Sequence, residues 1–488
     1  MIDKMQGFKN ACVEVLDAFS LMQLRVYGRS IGVDVPTKKK KGELIEGIVA
    51  VLCGEATPIE RSTRGAPVKD DHVDPAIEQA VAKQRYIWFA KVESPVRLTY
   101  IEAGFRNKNM LVVQSSDDAM TFEQYQAQPI YAGQLEVISG VPCLVDKSGD
   151  LDADRLTVSI ELIRQYGLRE GDVITCHAHE KMGVWAAKNI LTINSLVAGT
   201  EKRFIFEEEA VGYPTKQLPF LECDSQSSIA KIVDYTLPIG CGHRCVIASA
   251  PKAGKSSVLR DLAKTLYKQD RKRFIFTLLI DQSLESISSY QQFVPKGDLV
   301  ATSFEDEAEK HIFAAEFLLK RAKRYAEHGR EVVLLVDSLS KIAKAYNETE
   351  DSAGGKTLPC GLESKTLHYL KKYFGAARSF ASGGSLTIIG TASFGTGDAA
   401  DDVISSELST LSNVEIRLSE ELAKRRIFPA VDVAGSTSNG VDTLFNEQQR
   451  KAEADLRLRI ADGVSAESIV EMVVSSNSFN DFTQNIGK

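Results

Sequence analysis

The stretch "ASAPKAGKSSVLRDL", residues 248–262, decides the fold of this chain. It continues the apolar run "CVIASA", which is typical of a buried strand, and it opens the amphipathic helical pattern "SSVLRDLAKTL". A turn from strand to helix points its backbone N–H groups at phosphate oxygens, while the lysine and hydroxyl of a "GKS" triplet bind terminal phosphates and magnesium. The predicted nucleotide-binding residues of this loop are Pro251, Lys252, Ala253, Gly254, Lys255, Ser256 and Ser257.

One position of the loop departs from the usual pattern, because Ser249 stands where the first glycine is expected. The context of the loop supports the assignment nonetheless. A second strand, "EVVLLVD", ends in the carboxylate of Asp337, which can hold magnesium through water. Ser256 and Asp337 are therefore the predicted magnesium ligands, and ATP and Mg²⁺ are the predicted cofactors.

The second half of the chain alternates strands with helices. The strands "RFIFTLLID", "EVVLLVDS" and "SLTIIGTAS" are separated by helical stretches such as 256–268 and 306–328. This alternation is typical of an α/β fold with a covered, mostly parallel sheet. We assign residues 201–488 to this α/β domain.

The composition is that of an ordinary globular protein, with 43% hydrophobic and 26% charged residues among 488. This length exceeds what one hydrophobic core serves. The formal charge of -7 argues against an indiscriminate nucleic-acid coat but permits a locally positive groove. The eight cysteines form no C-x-x-C pair, and no apolar run reaches the roughly 18 residues of a membrane span. We therefore expect a cytoplasmic protein without a signal peptide or a membrane anchor.

Four segments precede the α/β domain. Residues 1–54 predict a helical module whose two helices share apolar residues around a basic turn, and residues 55–80 predict a linker rich in Pro, Gly and charge. Residues 81–130 form an insertion to which the sequence assigns no role. The short strands of residues 131–200 predict a small closed barrel of the oligonucleotide-binding (OB) kind.

Several motifs together resemble one family. "APKAGKS", "LLVDSLSKIAKAYN", "KKYFGAARSFASGGSLTIIGTAS" and "RRIFPAVD" look like the bacterial transcription termination factor Rho family, and the similarity runs from about residue 131 to about 450. The order of helical head, small barrel and ATPase core also matches. The resemblance implies a RecA-like P-loop core in a hexameric ring that pulls on RNA. It places the adenine against Phe428, and it places Lys252, Lys255, Ser256, Asp337 and Arg426 around the phosphates and the metal.

Two catalytic positions depart from the family pattern. The strand "FIFTLLID" delivers Asp281 and then Gln282, where the family has a glutamate that orients the attacking water. An amide can position water but cannot take its proton. The arginine finger that reaches into the adjacent subunit corresponds to Asn439, and a neighbouring family arginine corresponds to Ser283. We therefore expect a site that binds ATP and hydrolyses it slowly, unless Asp281, Glu285 or Arg426 takes over the missing roles.

The predicted RNA contacts are similarly altered. The barrel has Val141, Pro142 and Cys143 where the family has base-stacking aromatics, so the barrel is either a weaker RNA platform or a docking module. In the ring's centre, the first loop retains Lys356 as a phosphate contact, whereas the second has Ala399 in place of a lysine. Asp398, Asp401 and Asp402 make this second loop acidic. Either the loop faces RNA and repels its phosphates, or it is only a solvated surface loop.

The amino-terminal segment offers a replacement for these contacts. "LRVYGRSIGVDVPTKKKKGELI" is similar to short helix-extension-helix (SAP-like) nucleic-acid modules. Lysine runs are usually solvated, but this run lies at a helix start between two amphipathic helices. The predicted phosphate contacts are Arg25, Arg29, Lys38, Lys39, Lys40 and Lys41.

Two histidine motifs suggest metal sites only superficially. "CHAHE" brings His177 and His179 to one strand face, and "CGHRC" contains two cysteines and His243. A zinc site needs about four ligands, and neither cluster has an obvious partner. We interpret both as packing residues.

Three hypotheses follow. The first is a Rho-like ring ATPase that binds ATP, magnesium and single-stranded RNA, acts in transcription termination or its regulation, and has weakened hydrolysis. The second is a non-hydrolysing, nucleotide-bound structural or regulatory paralogue that forms a ring or filament and engages RNA polymerase or a cognate Rho. A rotary-type ATPase subunit is the third, but it does not account for the helical head and the barrel together.

Overall fold

The computed structural model describes residues 2–31, 33, 36, 38–52, 76–77, 80–81, 110–111, 130–151, 153, 155–181, 184–198, 203–269, 273–349 and 358–486. The chain divides into two compact units. The first comprises Met1–Asp146, Leu151–Arg169 and Val173–Glu201, and the second comprises Lys147–Asp150, Glu170–Asp172 and Lys202–Lys488. The predicted linker and the predicted insertion lie almost entirely outside the described residues.

The first unit begins with three helices, α1 (Ile2–Asp17), α2 (Leu21–Ser30) and α3 (Lys41–Leu52). The start of α2 is fixed by a capping box between Ser20 and Gln23. Apolar residues at helical spacing meet in a small buried core that includes Leu24, Leu44 and Ile48. The nucleic-acid function predicted for this module stays a prediction.

The first unit also contains a seven-stranded sheet and the short helix α4 (Ile160–Tyr166). Its strands are β1 (Met110–Leu111), β2 (Ile130–Ile138), β3 (Val141–Val145), β4 (Leu156–Thr157), β5 (Val173–Lys181), β6 (Val184–Ile193) and β7 (Leu196–Val197). The pairing runs β2-β3-β4-β6-β5, and β5 pairs back to β2, so these strands close on themselves. The assignment of this sheet to the OB kind stays a prediction.

The second unit contains a nine-stranded sheet in the order β11-β10-β12-β14-β9-β15-β16, with β13 joining β14 to β8. Its strands are β8 (Val211–Gly212), β9 (Arg244–Ser249), β10 (Phe274–Gln282), β11 (Leu299–Ser303), β12 (Glu331–Asp337), β13 (Arg378–Phe380), β14 (Ser385–Ser393), β15 (Val414–Arg417) and β16 (Thr437–Ser438). The six strands from β11 to β15 in this order are parallel, and the pairings of β16, β13 and β8 are antiparallel. The sheet is therefore mixed around a parallel centre.

Helices accompany the sheet. They are α5 (Phe220–Cys223), α6 (Ser228–Thr236), α7 (Lys255–Gln269), α8 (Leu284–Gln291), α9 (Ala308–Ala326), α10 (Leu339–Thr349), α11 (Ser364–Phe374), α12 (Ala399–Leu411), α13 (Glu420–Lys424), α14 (Val441–Leu444), α15 (Glu447–Ala461), α16 (Ala466–Ser475) and α17 (Phe479–Ile486). Within the described residues, no helix combines the length and apolarity needed to cross a bilayer.

The central strands are buried along nearly their whole length, as continuous apolar runs in a covered parallel sheet require. Because these strands are parallel, their carboxyl ends share one edge of the sheet. Ser249, Gln282, Asp337 and Ser393 end four of these strands. Ligands of open α/β sheets bind outside this edge, which is where the predicted loop lies.

Candidate nucleotide-binding site

The loop after β9 has the backbone shape of a phosphate cradle. Lys252 and Gly254 both have left-handed backbones, with φ of 64° and 102°. The first turn of α7 begins at Lys255, directly after Gly254. The backbone N–H groups of a helix start and its positive dipole end favour an anion. The loop can therefore receive phosphate groups between Lys252 and Ser256.

Asp337 lies across from this loop, two strands from β9. Its side chain is buried, and its Oδ1 accepts a hydrogen bond from Thr391 Oγ1 at 2.7 Å. Among the residues that the structure describes, no group hydrogen-bonds Asp337 Oδ2. A buried carboxylate oxygen without a donor is costly unless a cation or water meets it. A carboxylate and the Ser256 hydroxyl are oxygen ligands of the kind that Mg²⁺ prefers, so these residues fit the metal.

Lys255 connects the two parts electrostatically. Burial lowers the pKa of its ammonium group, and the carboxylates of Asp337 and Asp401 oppose that shift. The lysine at the start of α7 is thus close enough to Asp337 to feel its charge. Asp401 was not among the predicted site residues, because the sequence does not indicate that this residue of the acidic loop lies close to Lys255 in the folded chain.

Gln282 ends β10 beside Asp337. Its Nε2 donates to the backbone carbonyl of Asp337 at 3.3 Å and to that of Ile280 at 3.4 Å. Two carbonyl acceptors around one atom assign that atom to the NH₂ group, because only a donor satisfies both. The amide oxygen is left as the acceptor that the side chain can offer to a ligand or to water.

The acidic residues beside Gln282 are engaged in contacts of their own. The Asp281 carboxylate lies 3.3 Å from Lys341 Nζ, which also hydrogen-bonds the Asp281 carbonyl. Glu285 lies in the first turn of α8, where its own backbone N–H and the Ser283 hydroxyl lower the pKa of its carboxyl. Ser283 is the N-cap of α8 and accepts from the Ser286 N–H. Ser283, which was predicted to occupy the position of a family arginine, thus has a structural role as a helix cap that the sequence did not indicate.

Phe428 lies at the open side of the loop. A Cβ built on Gly254 would be 3.8 Å from the Phe428 ring, and 61% of this phenylalanine is exposed. An exposed ring beside a phosphate loop is a suitable surface for a nucleobase. Arg426, two residues earlier, is exposed and has a left-handed backbone with φ of 59°.

Asn439 lies at the other end of β9. Its backbone N–H donates to the Asn413 carbonyl at 2.8 Å, and the Asn413 N–H donates to the carbonyl of Arg244, the first residue of β9, at 2.8 Å. The phosphate loop follows the last residue of this six-residue strand. Such a strand is roughly 17 Å long, so Asn439 is remote from the loop of its own chain.

The acidic second loop is less solvated than its sequence suggests. Asp398 caps α12 by accepting from the Ala400 N–H, and Lys344 Nζ lies 3.1 Å from its carboxylate and 2.9 Å from that of Asp401. Asp401 is buried and also accepts from Thr396 Oγ1 at 2.8 Å. The structure differs here from a solvated acidic tip, because these carboxylates cap a helix and neutralise a lysine.

The amino-terminal lysines differ in their availability. Lys38 and Lys40 are exposed. Lys41 Nζ donates to the Asp17 carbonyl at 2.6 Å and lies 3.1 Å from its carboxylate, so this lysine joins α3 to α1. Lys39 Nζ lies 3.2 Å from the point that a Cβ on Gly47 would occupy. Arg25 and Arg29 are half-buried on α2, and Lys356 lies outside the described residues.

Residues 141–143, where the resemblance predicts base-stacking aromatics, carry no aromatic ring. Val141 is half-exposed at the start of β3, and Cys143 is buried, which raises the pKa of its thiol. Tyr131 is buried with its hydroxyl directed to the Leu144 carbonyl at 3.4 Å, and Trp185 packs against the same apolar core. These rings serve packing within the sheet.

The histidine motifs do not form metal clusters in the described part of the chain. No group of three or more His, Cys, Asp or Glu side chains there could hold an ion. His243 is buried, and its Nδ1 accepts from the Gly240 N–H at 2.9 Å. Burial lowers its pKa to about 4, so the imidazole is a neutral packing group.

Two comparisons with known proteins, one with protein families and one with individual proteins, find relatives of this chain. The ATP synthase alpha/beta family, nucleotide-binding domain, matches residues 230–438, which confirms the predicted RecA-like ATPase core. Transcription termination factor Rho of Mycobacterium tuberculosis (strain ATCC 25618 / H37Rv) is 32% identical over 384 residues, which cover 76% of this chain and 63% of the relative. The chain thus spans less than two thirds of the length of that protein.

Two shorter relatives are matched over more of their length. The transcription termination factor Rho of Salmonella typhimurium (strain LT2) is 32% identical over 326 residues, which cover 65% of this chain and 77% of the relative. That of Streptobacillus moniliformis is 32% identical over 338 residues, which cover 67% of this chain and 80% of the relative. Identity at this level over most of a relative's length shows that the chain belongs to the transcription termination factor Rho family.

Proposed function

We propose that this protein is a Rho-like ring ATPase that binds ATP with magnesium and contacts single-stranded RNA, and that its ATP hydrolysis is weakened. The observation that carries the proposal is the buried Asp337 Oδ2, which lacks a donor among the described residues and lies within electrostatic reach of Lys255. Asp337 and the Ser256 hydroxyl would hold a magnesium ion, which would compensate the carboxylate and neutralise phosphate charge. The loop residues Pro251 to Ser257 supply the cradle, and Phe428 supplies the adenine platform.

Weakened hydrolysis rests on two positions. The Gln282 amide cannot accept a proton from the attacking water, although its oxygen can still orient that water. Asn439 cannot supply the positive charge of an arginine finger to a neighbouring site. Loss of such a cation costs on the order of 10³–10⁵ in rate in phosphoryl-transfer enzymes, whereas the groups that bind the nucleotide remain.

A ring of identical subunits, hexameric by family resemblance, is part of the proposal. Phe428 and Arg426 are exposed at the nucleotide edge, and Asn439 lies at the far end of β9 from its own loop. A head-to-tail arrangement of subunits brings Asn439 of one subunit close to Phe428 and Arg426 of the next. Transcription termination or its regulation is the proposed process, with RNA polymerase or a cognate Rho as a further proposed partner.

Calorimetry with ATP and magnesium tests the nucleotide site. The wild-type chain is expected to bind, and Lys255→Ala and Asp337→Asn are each expected to weaken binding at least about tenfold, since each loses a charge-assisted contact. Omission of magnesium is expected to reduce the difference between wild type and Asp337→Asn. A wild-type chain without affinity for ATP overturns the proposal.

A second candidate, a non-hydrolysing nucleotide-bound regulatory paralogue that forms a ring or filament, is favoured by the orientation of the Gln282 amide. Phosphate release with and without RNA separates the two. Motor-level turnover by the wild type excludes the paralogue. Tight ATP binding without turnover, together with turnover restored in the double variant Gln282→Glu/Asn439→Arg, excludes the motor.

Binding of RNA is proposed through the amino-terminal basic residues and Lys356. Lys38 and Lys40 are exposed, whereas Lys41 is paired with Asp17. The full-length double variant Lys38→Gln/Lys40→Gln is expected to lose affinity for single-stranded RNA. The slope of log affinity against log salt is expected to become shallower, by the equivalent of about one to two phosphate contacts. Lys268→Gln, which removes an exposed lysine paired with Asp224, is the matched control. Equal affinities of all three proteins contradict this part of the proposal.

A further inference from the structure

The end of β10 contains a β-bulge next to the nucleotide site. The parallel register with β11 runs from Thr277↔Leu299 to Leu279↔Ala301 and resumes at Gln282↔Ser303 after a shift. Two residues of β10, Ile280 and Asp281, therefore oppose the single residue Thr302. Asp281 takes a left-handed backbone with φ of 52°, which is uncommon for a residue with a Cβ. Bulges re-aim a side chain, and the side chain that follows this one is Gln282.

The backbone N–H of the bulge has a side-chain acceptor. The Asp281 N–H donates to Thr302 Oγ1 at 3.2 Å, and Thr302 is buried with only 2% of its surface exposed. The Thr302 hydroxyl has one further lone pair and one hydrogen to offer. His311 Nδ1 lies 2.8 Å from Thr302 Oγ1 and shares a hydrogen bond with it. The bulge is therefore held by a chain of two hydrogen bonds that ends in an imidazole on α9.

The hydrogen-bond chain ends in an imidazole whose neutral form is favoured. Burial lowers the pKa of His311 and outweighs the carboxylates around it. Either neutral tautomer can pair Nδ1 with the Thr302 hydroxyl, which both donates and accepts. Lys341 also contacts the Asp281 carbonyl and carboxylate. The N–H, the carbonyl and the side chain of the strained residue are thus all engaged, and the amide of the next residue, Gln282, meets the Asp337 carbonyl.

We propose that Thr302 and His311 are positioning residues that hold the Asp281 bulge and thereby aim Gln282 at the γ-phosphate end of the nucleotide site. The proposal rests on the nucleotide binding proposed above for the loop and Asp337. Thr302 lies on the neighbouring strand β11 and His311 on α9, so both act on Gln282 through the backbone of Asp281. Their function is to select a triphosphate over a diphosphate through a water that the Gln282 amide oxygen accepts from and that also donates to the γ-phosphate, because only a triphosphate extends to that water.

The substitutions Thr302→Val and Thr302→Ser separate the hydroxyl from the shape of the side chain. Valine keeps the shape and removes the acceptor, whereas serine keeps the acceptor. His311→Leu and His311→Asn form the second pair, because the Asn Oδ1 takes the place of Nδ1. Thr236→Val is the matched control: its buried hydroxyl donates to the Ile232 carbonyl at 2.7 Å within α6.

Hydrogen exchange of the nucleotide-free, full-length protein is the first measurement. The Asp281 amide is expected to exchange about fivefold faster in Thr302→Val and in His311→Leu, because one hydrogen bond is lost or loosened. Thr302→Ser, His311→Asn and Thr236→Val are expected to match the wild type. Unchanged exchange in Thr302→Val, or equally fast exchange in Thr302→Ser, overturns the positioning role.

The ratio of the dissociation constants for ADP and ATP is the second measurement. Thr302→Val is expected to lower this ratio about threefold or more with ADP affinity unchanged, and Thr302→Ser is expected to restore it. A parallel loss of affinity for both nucleotides overturns the selective role and indicates general loosening. A wild-type chain without ATP affinity overturns the proposed function instead, and the exchange measurement then decides by itself whether Thr302 and His311 hold the bulge.

Discussion

The side-chain amide of Gln282 donates to the backbone carbonyl of Asp337 across 3.3 Å. This contact joins the residue predicted to occupy the position of the family glutamate to the residue proposed to bind magnesium. A carboxylate oxygen in place of Nε2 would be repelled by the carbonyl oxygens of Asp337 and Ile280, because all three atoms carry negative charge. A glutamine at position 282 is therefore accommodated by its surroundings, and a glutamate at this position has a structural cost.

Gln282→Glu alone is expected to lower stability and to restore little turnover. Loss of the amide donor and repulsion from two carbonyls correspond to about 1–2 kcal/mol, which lowers the melting temperature by about 2–5 °C at pH 8. Gln282→Met has a similar length without the charge and is expected to lose less. A variant as stable as the wild type, with motor-level turnover, contradicts this reading of the contact.

Gly254→Ala is expected to abolish tight ATP binding through its backbone. Gly254 has φ of 102°, and Gly383 in the turn before β14 has the same φ with no atom near its missing Cβ. Alanine at either position costs about 1–2 kcal/mol of stability, because a Cβ disfavours left-handed backbones. Only Gly254→Ala is expected to weaken ATP binding, by at least about tenfold. Calorimetry on both variants checks the difference, and similar affinities would argue against a cradle at Gly254.

Phe428→Leu is expected to weaken ATP binding without weakening tripolyphosphate binding. Stacking of a base on an aromatic ring contributes roughly 1–3 kcal/mol, or about 5- to 150-fold in affinity. Tyr213→Leu is the matched control, because this ring is 85% exposed directly after β8, which pairs through β13 with the amino-terminal end of β14. Titration with both ligands distinguishes a base contact from a general effect. Equal losses for the two ligands would place the base elsewhere.

The sequence predicts the parts of the site that lie within one contiguous motif. Gly254, Lys255 and Ser256 form such a motif between a strand and a helix, and Asp337 ends an apolar strand that predicts its own buried position. Thr302 and His311 could not be predicted, because their contact with Asp281 depends on a register shift between two strands that are adjacent only in the folded sheet.

The charge pattern was similarly incomplete as a guide. Asp401 reads as part of an acidic run, but it is buried beside Lys344 because the first turn of α12 folds back on α10. Lys41 reads as one of four equivalent lysines, but its ammonium group is used by Asp17. Charges that share a sequence run differ in what they contact, and only the packing of the helices distinguishes them.

Asp234→Asn is expected to change how stability depends on pH. Burial raises the pKa of this carboxyl from 3.8 to about 7, although the Leu221 N–H donates to it at 2.7 Å. Between these values the folded state holds a proton that the unfolded state releases, so the wild type loses stability as pH rises toward 7. The variant lacks this loss. Its free energy of unfolding relative to that of the wild type is therefore expected to rise by on the order of 2 kcal/mol from pH 5 to pH 8. Urea denaturation at both pH values checks this, and a constant difference contradicts it.

Asp398→Asn is expected to strengthen binding of single-stranded RNA without unfolding the second loop. Asparagine is as good an N-cap as aspartate, so the hydrogen bond from the Ala400 N–H is retained while one negative charge is removed. Lys344 keeps its partner Asp401, so the loop stays attached to α10. If the loop faces RNA as in the family, affinity at low salt rises about two- to threefold and the gain fades as salt screens the charge.

Asp224→Asn is the matched control, since Asp224 also accepts a backbone N–H and pairs with a lysine, Lys268, at 3.0 Å. An equal gain in both variants would show that net charge alone is responsible, and no gain in either would place RNA away from the second loop.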